Sequence, residues 1–106
     1  MFTRHVIVRL KAKTAPEFTR LVEKEVIPML RKQKGFLDVV TCISPDLTEA
    51  VSNSFWETQG DAEAYSRTGY PEVMKSLETV VEGTPTVGTA NVSNSTFHKI
   101  AAAHAA

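Results

Sequence analysis

The sequence predicts an α+β fold in the order β-α-β-β-α-β, and three observations carry that expectation. Phe2 to Leu10, "FTRHVIVRL", is rich in β-branched residues and alternates apolar with polar or mixed positions at period two. Two other stretches, one from Ala15 and one from Pro71, repeat their apolar residues at helical spacing. Between them lie two further β-rich runs, separated by Pro45-Asp46-Leu47-Thr48, which is a turn sequence. With 106 residues the chain is long enough for one domain, assigned to residues 1–100, with the Ala-rich 101–106 expected to be a flexible tail.

The elements follow in order. In the first strand Phe2, Val6, Val8 and Leu10 share one face, leaving Thr3, His5, Ile7 and Arg9 on the other. Thr14-Ala15-Pro16-Glu17 has the spacing of a capping box with proline in the first turn, so a helix is expected from Ala15. Phe18, Leu21, Val22, Val26, Met29 and Leu30 form its apolar stripe, and Gly35 supplies a stop. Pro28 removes the hydrogen bond to the Lys24 carbonyl and predicts a bend. Glu25 projects into the apolar arc, as a carboxylate near the helix–sheet cleft, unless that bend turns it into water.

Gly35 to Ser44 and Glu49 to Glu57 read as a hairpin. Thr58 with Asp61 starts a short helix carrying Ala62 and Tyr65 on one side, and Gly69 interrupts it. Pro71 restarts a helix whose stripe of Val73, Met74, Leu77, Val80 and Val81 runs to Gly83. After Pro85, "TVGTANVSNSTFHKI" reads as a long last strand.

Two helices linking parallel strands give the split βαβ, or ferredoxin-like, arrangement with sheet order 4-1-3-2. The first strand is then expected between the third and fourth, parallel to the third and antiparallel to the fourth. One helix layer covers one sheet face. The other presents Ile7, Arg9, Val51, Asn53 and Phe55, and its apolar members point to a homodimer packed sheet against sheet.

Twelve basic side chains balance twelve acidic ones, so there is no electrostatic footprint for nucleic acid or an anionic membrane. No apolar stretch reaches the ~20 residues of a membrane span. A single cysteine and no apolar leader make the cytoplasm the expected compartment, with Cys42 read as a small buried hydrophobe. His5 and His98 are brought toward each other at the ends of the first and last strands. Two imidazoles without a carboxylate make no metal site, and no metal is expected.

"VIPMLRKQKGFLD", "SFWETQGDAEAY", "YPEVMKSL", "EGTPTVG" and "VSNSTFHKI" together give a chain that resembles the antibiotic biosynthesis monooxygenase-like branch of the dimeric α/β-barrel superfamily. The resemblance covers nearly the whole chain and its motifs are mostly structural. It implies a ferredoxin-like protomer, a homodimer whose sheets form a barrel, and a helix–sheet cleft in each protomer. It also implies oxidation of a small aromatic or quinol without metal, flavin or other cofactor. A second branch binds and degrades haem through a strand-one Asn, a strand-three Trp and a helical His. Trp56 matches, but Val8 and Met74 stand at the other two positions, which makes haem the poorer fit.

Oxygenating relatives place an Asn an even number of residues before the Trp. Asn53 is three residues from Trp56, so the two side chains project to opposite faces. Sharing the face of Trp56 are Ser54, Ser52 and Ala50, all small, which leave room beneath the helices for a pocket closed by Tyr65, Phe18 or Met29. Trp56 either walls that pocket or fills it. Trp56, Tyr65 and Glu25 are the candidate catalytic residues, and Trp56, Ser54, Ser52, Tyr65, Tyr70 and Phe18 the candidate substrate contacts. The alternative is a non-catalytic dimer of the same fold that binds a small ligand or serves a stress or accessory role.

Overall fold

A computed structural model describes residues 1–97. Its strands are β1 (Phe2–Leu10), β2 (Phe36–Ile43), β3 (Glu49–Trp56) and β4 (Val81–Asn91), in the order β2-β3-β1-β4. Helices α1 (Ala15–Leu21) and α2 (Ile27–Arg31), joined by a π-helical turn at Val22–Val26, cover one face of the sheet with α3 (Gln59–Thr68) and α4 (Tyr70–Leu77). This is the ferredoxin-like α+β architecture that the sequence predicts.

Every neighbouring pair of strands is antiparallel, which corrects the expected direction of β1 against β3. The crossover helices make β1 parallel to β2, and the β2–β3 hairpin then reverses β3 against both. Phe2 consequently stands opposite Trp56, and His5 opposite Asn53. The parallel arrangement would have put His5 about 17 Å from Trp56, whereas three register positions amount to about 10 Å. The sheet itself separates them, because His5 is on the open face and Trp56 on the helix-covered one. The His5 ring lies against Gly88, where a Cβ would come within 2.3 Å of it. His98 lies outside the described residues.

The long first helix is continuous but not uniform. Phe18, Val22, Val26 and Leu30 are all buried, at a strict spacing of four. At ~100° per residue that spacing drifts by about 40° per step around an α-helix, enough to carry the stripe off the sheet. The wider π turn takes up the drift, with the Ile27 N–H donating to the Val22 carbonyl. Pro28, which has no N–H, follows at once, so the predicted irregularity lies just before it. Glu25 is turned into water.

Four local expectations are corrected. Thr14 precedes α1, but its hydroxyl donates to the carbonyls of Lys11 and Val80 while Glu17 pairs with Arg20, so no capping box forms there. The equivalent start at Thr58 does form, with the Thr58 hydroxyl accepting from the Asp61 N–H at 3.1 Å. α4 stops at Leu77, and Val81 belongs to β4, paired with Leu10. Gly83, expected as a helix stop, is a left-handed residue (φ 73°) where the β1–β4 register shifts, and Pro85 is accommodated because β4 is an edge strand. The last strand ends at Asn91.

The open face carries Ile7, Arg9, Val51, Asn53 and Phe55, as alternation requires. Cys42 lies there too, opposite Val51, and is exposed, contrary to its reading as a buried hydrophobe. β2 is an edge strand, and its outward side chains have no helix above them.

Candidate functional site

The helix-facing side of the sheet is built in rows set by the register. Phe36, Trp56 and Phe2 make an aromatic end row; Val39, Ser54 and Arg4 make the next; Thr41, Ser52 and Val6, then Ile43, Ala50 and Val8, complete it. Because the central strand contributes only Ser54, Ser52 and Ala50, the helices cannot close down on the sheet, and a cavity of about 50 Å³ remains. The tyrosines, Phe18, Val22, Val26 and Met74 bound it from the helix side. A groove of about 200 Å³ adjoins it between α1, the π turn and β2, sharing Phe18, Val22, Val39 and Thr41 as its partition. A cavity of ~150 Å³ accepts benzene, so the groove is large enough for an aromatic ring and the cavity beside Arg4 admits one only if the partition moves.

Of the sequence candidates, Ser52, Ser54, Tyr65, Tyr70 and Phe18 come together around the cavity, and Trp56 and Glu25 do not. Trp56 is wholly buried, at 0% exposure, behind the cavity rather than along it. Its indole stacks on Tyr65 (centroids 4.9 Å apart) and meets Phe36 edge-on, and its Nε1–H donates to the Ser54 hydroxyl at 2.9 Å. Ser54 in turn donates to the Arg4 carbonyl at 3.2 Å. The open choice between wall and filler resolves to filler. Glu25 is exposed on the π turn and lines neither space, and Asn53 is on the opposite face of the sheet.

Arg4 is the residue that sequence reasoning missed. It lies between Phe2 and Val6 on the inward-facing positions of β1, and alternation alone places it inside. Its side chain is 4% exposed, with the guanidinium carbon 4.0 Å from the centre of the Tyr70 ring and 5.6 Å from that of Tyr65. A planar cation over two ring faces is stabilised by their quadrupoles, which offsets part of its desolvation. Burial pushes the Tyr65 hydroxyl up to about 12, against the opposing pull of Arg4. At neutral pH Tyr65 is therefore a neutral hydrogen-bond donor and no base.

The raised Tyr65 value has a measurable consequence. From pH 10 to about 12 the unfolded chain loses this proton while the folded one keeps it, so stability is full below pH 10 and declines through that window. The loss is of the order of 2–3 kcal/mol. Chemical denaturation across the window should show it in the natural protein and show a smaller slope in Tyr65→Phe; equal slopes would contradict the burial argument.

The residues present do not fit haem. Val8 and Met74 both line the cavity where the haem-degrading branch has Asn and His, and the free space is far below the size of a porphyrin.

No protein-family profile matches the chain, and no curated protein sequence matches it. Solved structures do. A monooxygenase from the gene ActVA-Orf6 of Streptomyces coelicolor, in complex with Nanaomycin D, is similar with a TM-score of 0.71 at 20% identity, over 84% of each chain. SnoaB, a cofactor-independent oxygenase from Streptomyces nogalater, gives a TM-score of 0.71 at 14% identity over 90% of this chain and 95% of its own. An antibiotic biosynthesis monooxygenase-family protein of Bordetella bronchiseptica gives 0.73 at 14% identity over 86% and 95%. The chain has the ferredoxin-like fold of the antibiotic biosynthesis monooxygenase structures.

Proposed function

We propose that the protein is a cofactor-independent monooxygenase of a small aromatic phenol or quinol, working as a homodimer in the cytoplasm. The observation that carries this reading is the largely apolar helix–sheet cavity with Arg4, Tyr65 and Tyr70 at one corner and the hydroxyl residues Thr41, Ser52 and Ser54 on its sheet side, in a fold shared with a cofactor-independent oxygenase. The ring would enter through the groove beside β2, displace the Phe18–Val22 partition and lie over Ser52 and Ser54. Tyr65, held neutral, donates to the ring oxygen. In the reaction a phenol and O₂ give a quinone and water. One oxygen atom is added to a ring carbon, the other leaves as water, and all four electrons come from the ring, so no external reductant is needed.

Oxygen uptake with a panel of phenols and quinols tests this. Uptake matched by quinone formation is expected, and Ser52→Leu, which fills the cavity floor, should lower it roughly a hundredfold by displacing the ring while leaving the fold intact. The rival reading, a ligand-binding dimer without catalysis, is favoured by one observation: among the described residues no carboxylate or imidazole lines the cavity. Ligand binding with no oxygen uptake across the panel would establish it. The sheet face with Ile7 and Val51, away from the helices, supports the dimer, and a monomer by light scattering at micromolar concentration would remove that part.

A further inference from the structure

A buried permanent charge requires an opposite one. Among the described residues Arg4 has none: its contacts are the two tyrosine rings, and the Ser54 hydroxyl binds its backbone carbonyl and not its guanidinium. The ion pair of Arg20 with Glu17 is on the exposed surface of α1 and does not involve Arg4. No fully buried side-chain nitrogen or oxygen lacks a hydrogen bond among the described residues, so the guanidinium nitrogens keep some accessible surface, and Arg4 lines the cavity. The other groups at that corner able to titrate are Tyr65 and Tyr70. Among the described residues no carboxylate, imidazole or lysine lines the cavity.

We propose that Arg4 is the counter-charge for an anionic oxygen on the aromatic ligand, so that the cavity takes its ligand already ionised, as a phenolate or a carboxylate. This rests on the cavity being the ligand site and supplies what the oxygenase reading lacks. A phenol loses its proton to water on binding, because Arg4 stabilises the ionised form, and the protein contributes no general base. The valine, leucine and phenylalanine side chains of the lining work the other way, disfavouring any anion held against them. Charge and ring are thereby selected by different walls.

Two probes separate the two sources of anionic oxygen. 4-Nitrophenol, whose phenolate absorbs visible light, is titrated with and without saturating protein. The bound form should ionise at lower pH than the free form, by about one unit or more. Arg4→Met, of similar length and no charge, should reverse the shift, and Arg4→Lys should keep much of it. Benzoate against the neutral benzamide reads the carboxylate: a preference of about tenfold or more is expected, the scale of one charge-assisted hydrogen bond.

A shift with the first probe alone supports the proposal and names the phenolate as the ligand, and a preference with the second alone supports it and names the carboxylate. Unshifted ionisation together with no benzoate preference in the natural protein would overturn it, whether or not Arg4→Met folds. Retention of either effect in a folded Arg4→Met would overturn it as well. Neither measurement needs turnover. A protein that shifts the probe and consumes no oxygen would lose the oxygenase reading and keep this one, and uptake with unshifted probes would do the reverse.

Discussion

Trp56→Ala should lower the unfolding free energy by about 3–5 kcal/mol, the range for emptying a large aromatic site in a core. Three contacts go at once: the stack on Tyr65, the edge contact with Phe36 and the hydrogen bond to Ser54. In a chain of this size each kilocalorie corresponds to roughly 4–8 °C, so the melting temperature should fall by more than about 12 °C. Trp56→Phe should cost about 1–2 kcal/mol, since the ring contacts survive in part and the Ser54 hydroxyl, though it loses its indole donor, still donates to the Arg4 carbonyl. Thermal and urea unfolding of both variants measure this. A loss below about 1 kcal/mol for Trp56→Ala would mean that the aromatic end row does not brace the sheet.

Gly35→Ala should cost about 2–4 kcal/mol, from two separable sources. Gly35 adopts φ 78°, where an L residue with a Cβ loses about 1–2 kcal/mol. The same Cβ would come within 2.1 Å of the Asp61 carboxylate and 2.7 Å of its Cβ, so α3 must move or the side chain must swing away. Introduced into an Asp61→Gly background, Gly35→Ala should cost only the backbone share, about 1–2 kcal/mol. Equal costs in the two backgrounds, measured by urea unfolding, would remove the steric half of the argument.

Most of the fold was legible because hydrophobic period and cap chemistry agree along much of the chain. Alternation in β1 and β3 assigned both faces of the sheet correctly, including Ile7, Val51 and Phe55 on the open side. The failures have physical causes. Val80 and Val81 continue the helical stripe of α4 and are equally suited to a strand, and pairing with Leu10 decides between the two. The Thr14 capping box failed because Val80, distant in sequence, offers a carbonyl to the same hydroxyl. The direction of β3 was an error of topology, since the hairpin alone determines it.

The site was half legible. Small residues on the face of Trp56 pointed correctly to free space, and Tyr65, Tyr70 and Phe18 are indeed around it. Trp56 drew notice through its size, yet a residue large enough to wall a pocket is also large enough to close one end of it. Arg4 went unnoticed for the opposite reason. A charged side chain reads as solvated, and what holds this one inside is a pair of tyrosines more than sixty residues away, whose proximity only the register of the sheet creates.

The π turn at Val22–Val26 uncouples the lining of the cavity from the length of the helix that covers it. One residue more is accommodated there than an α-helical turn would take, and deleting a single exposed position such as Lys24 would leave an ordinary helix. The eleven α-helical steps then left between Phe18 and Leu30 turn through about 1,100°, close to three whole turns, so Phe18 would stay over the cavity. Relatives shorter by one residue in this helix would therefore keep the same lining, a change of length that the cavity does not register.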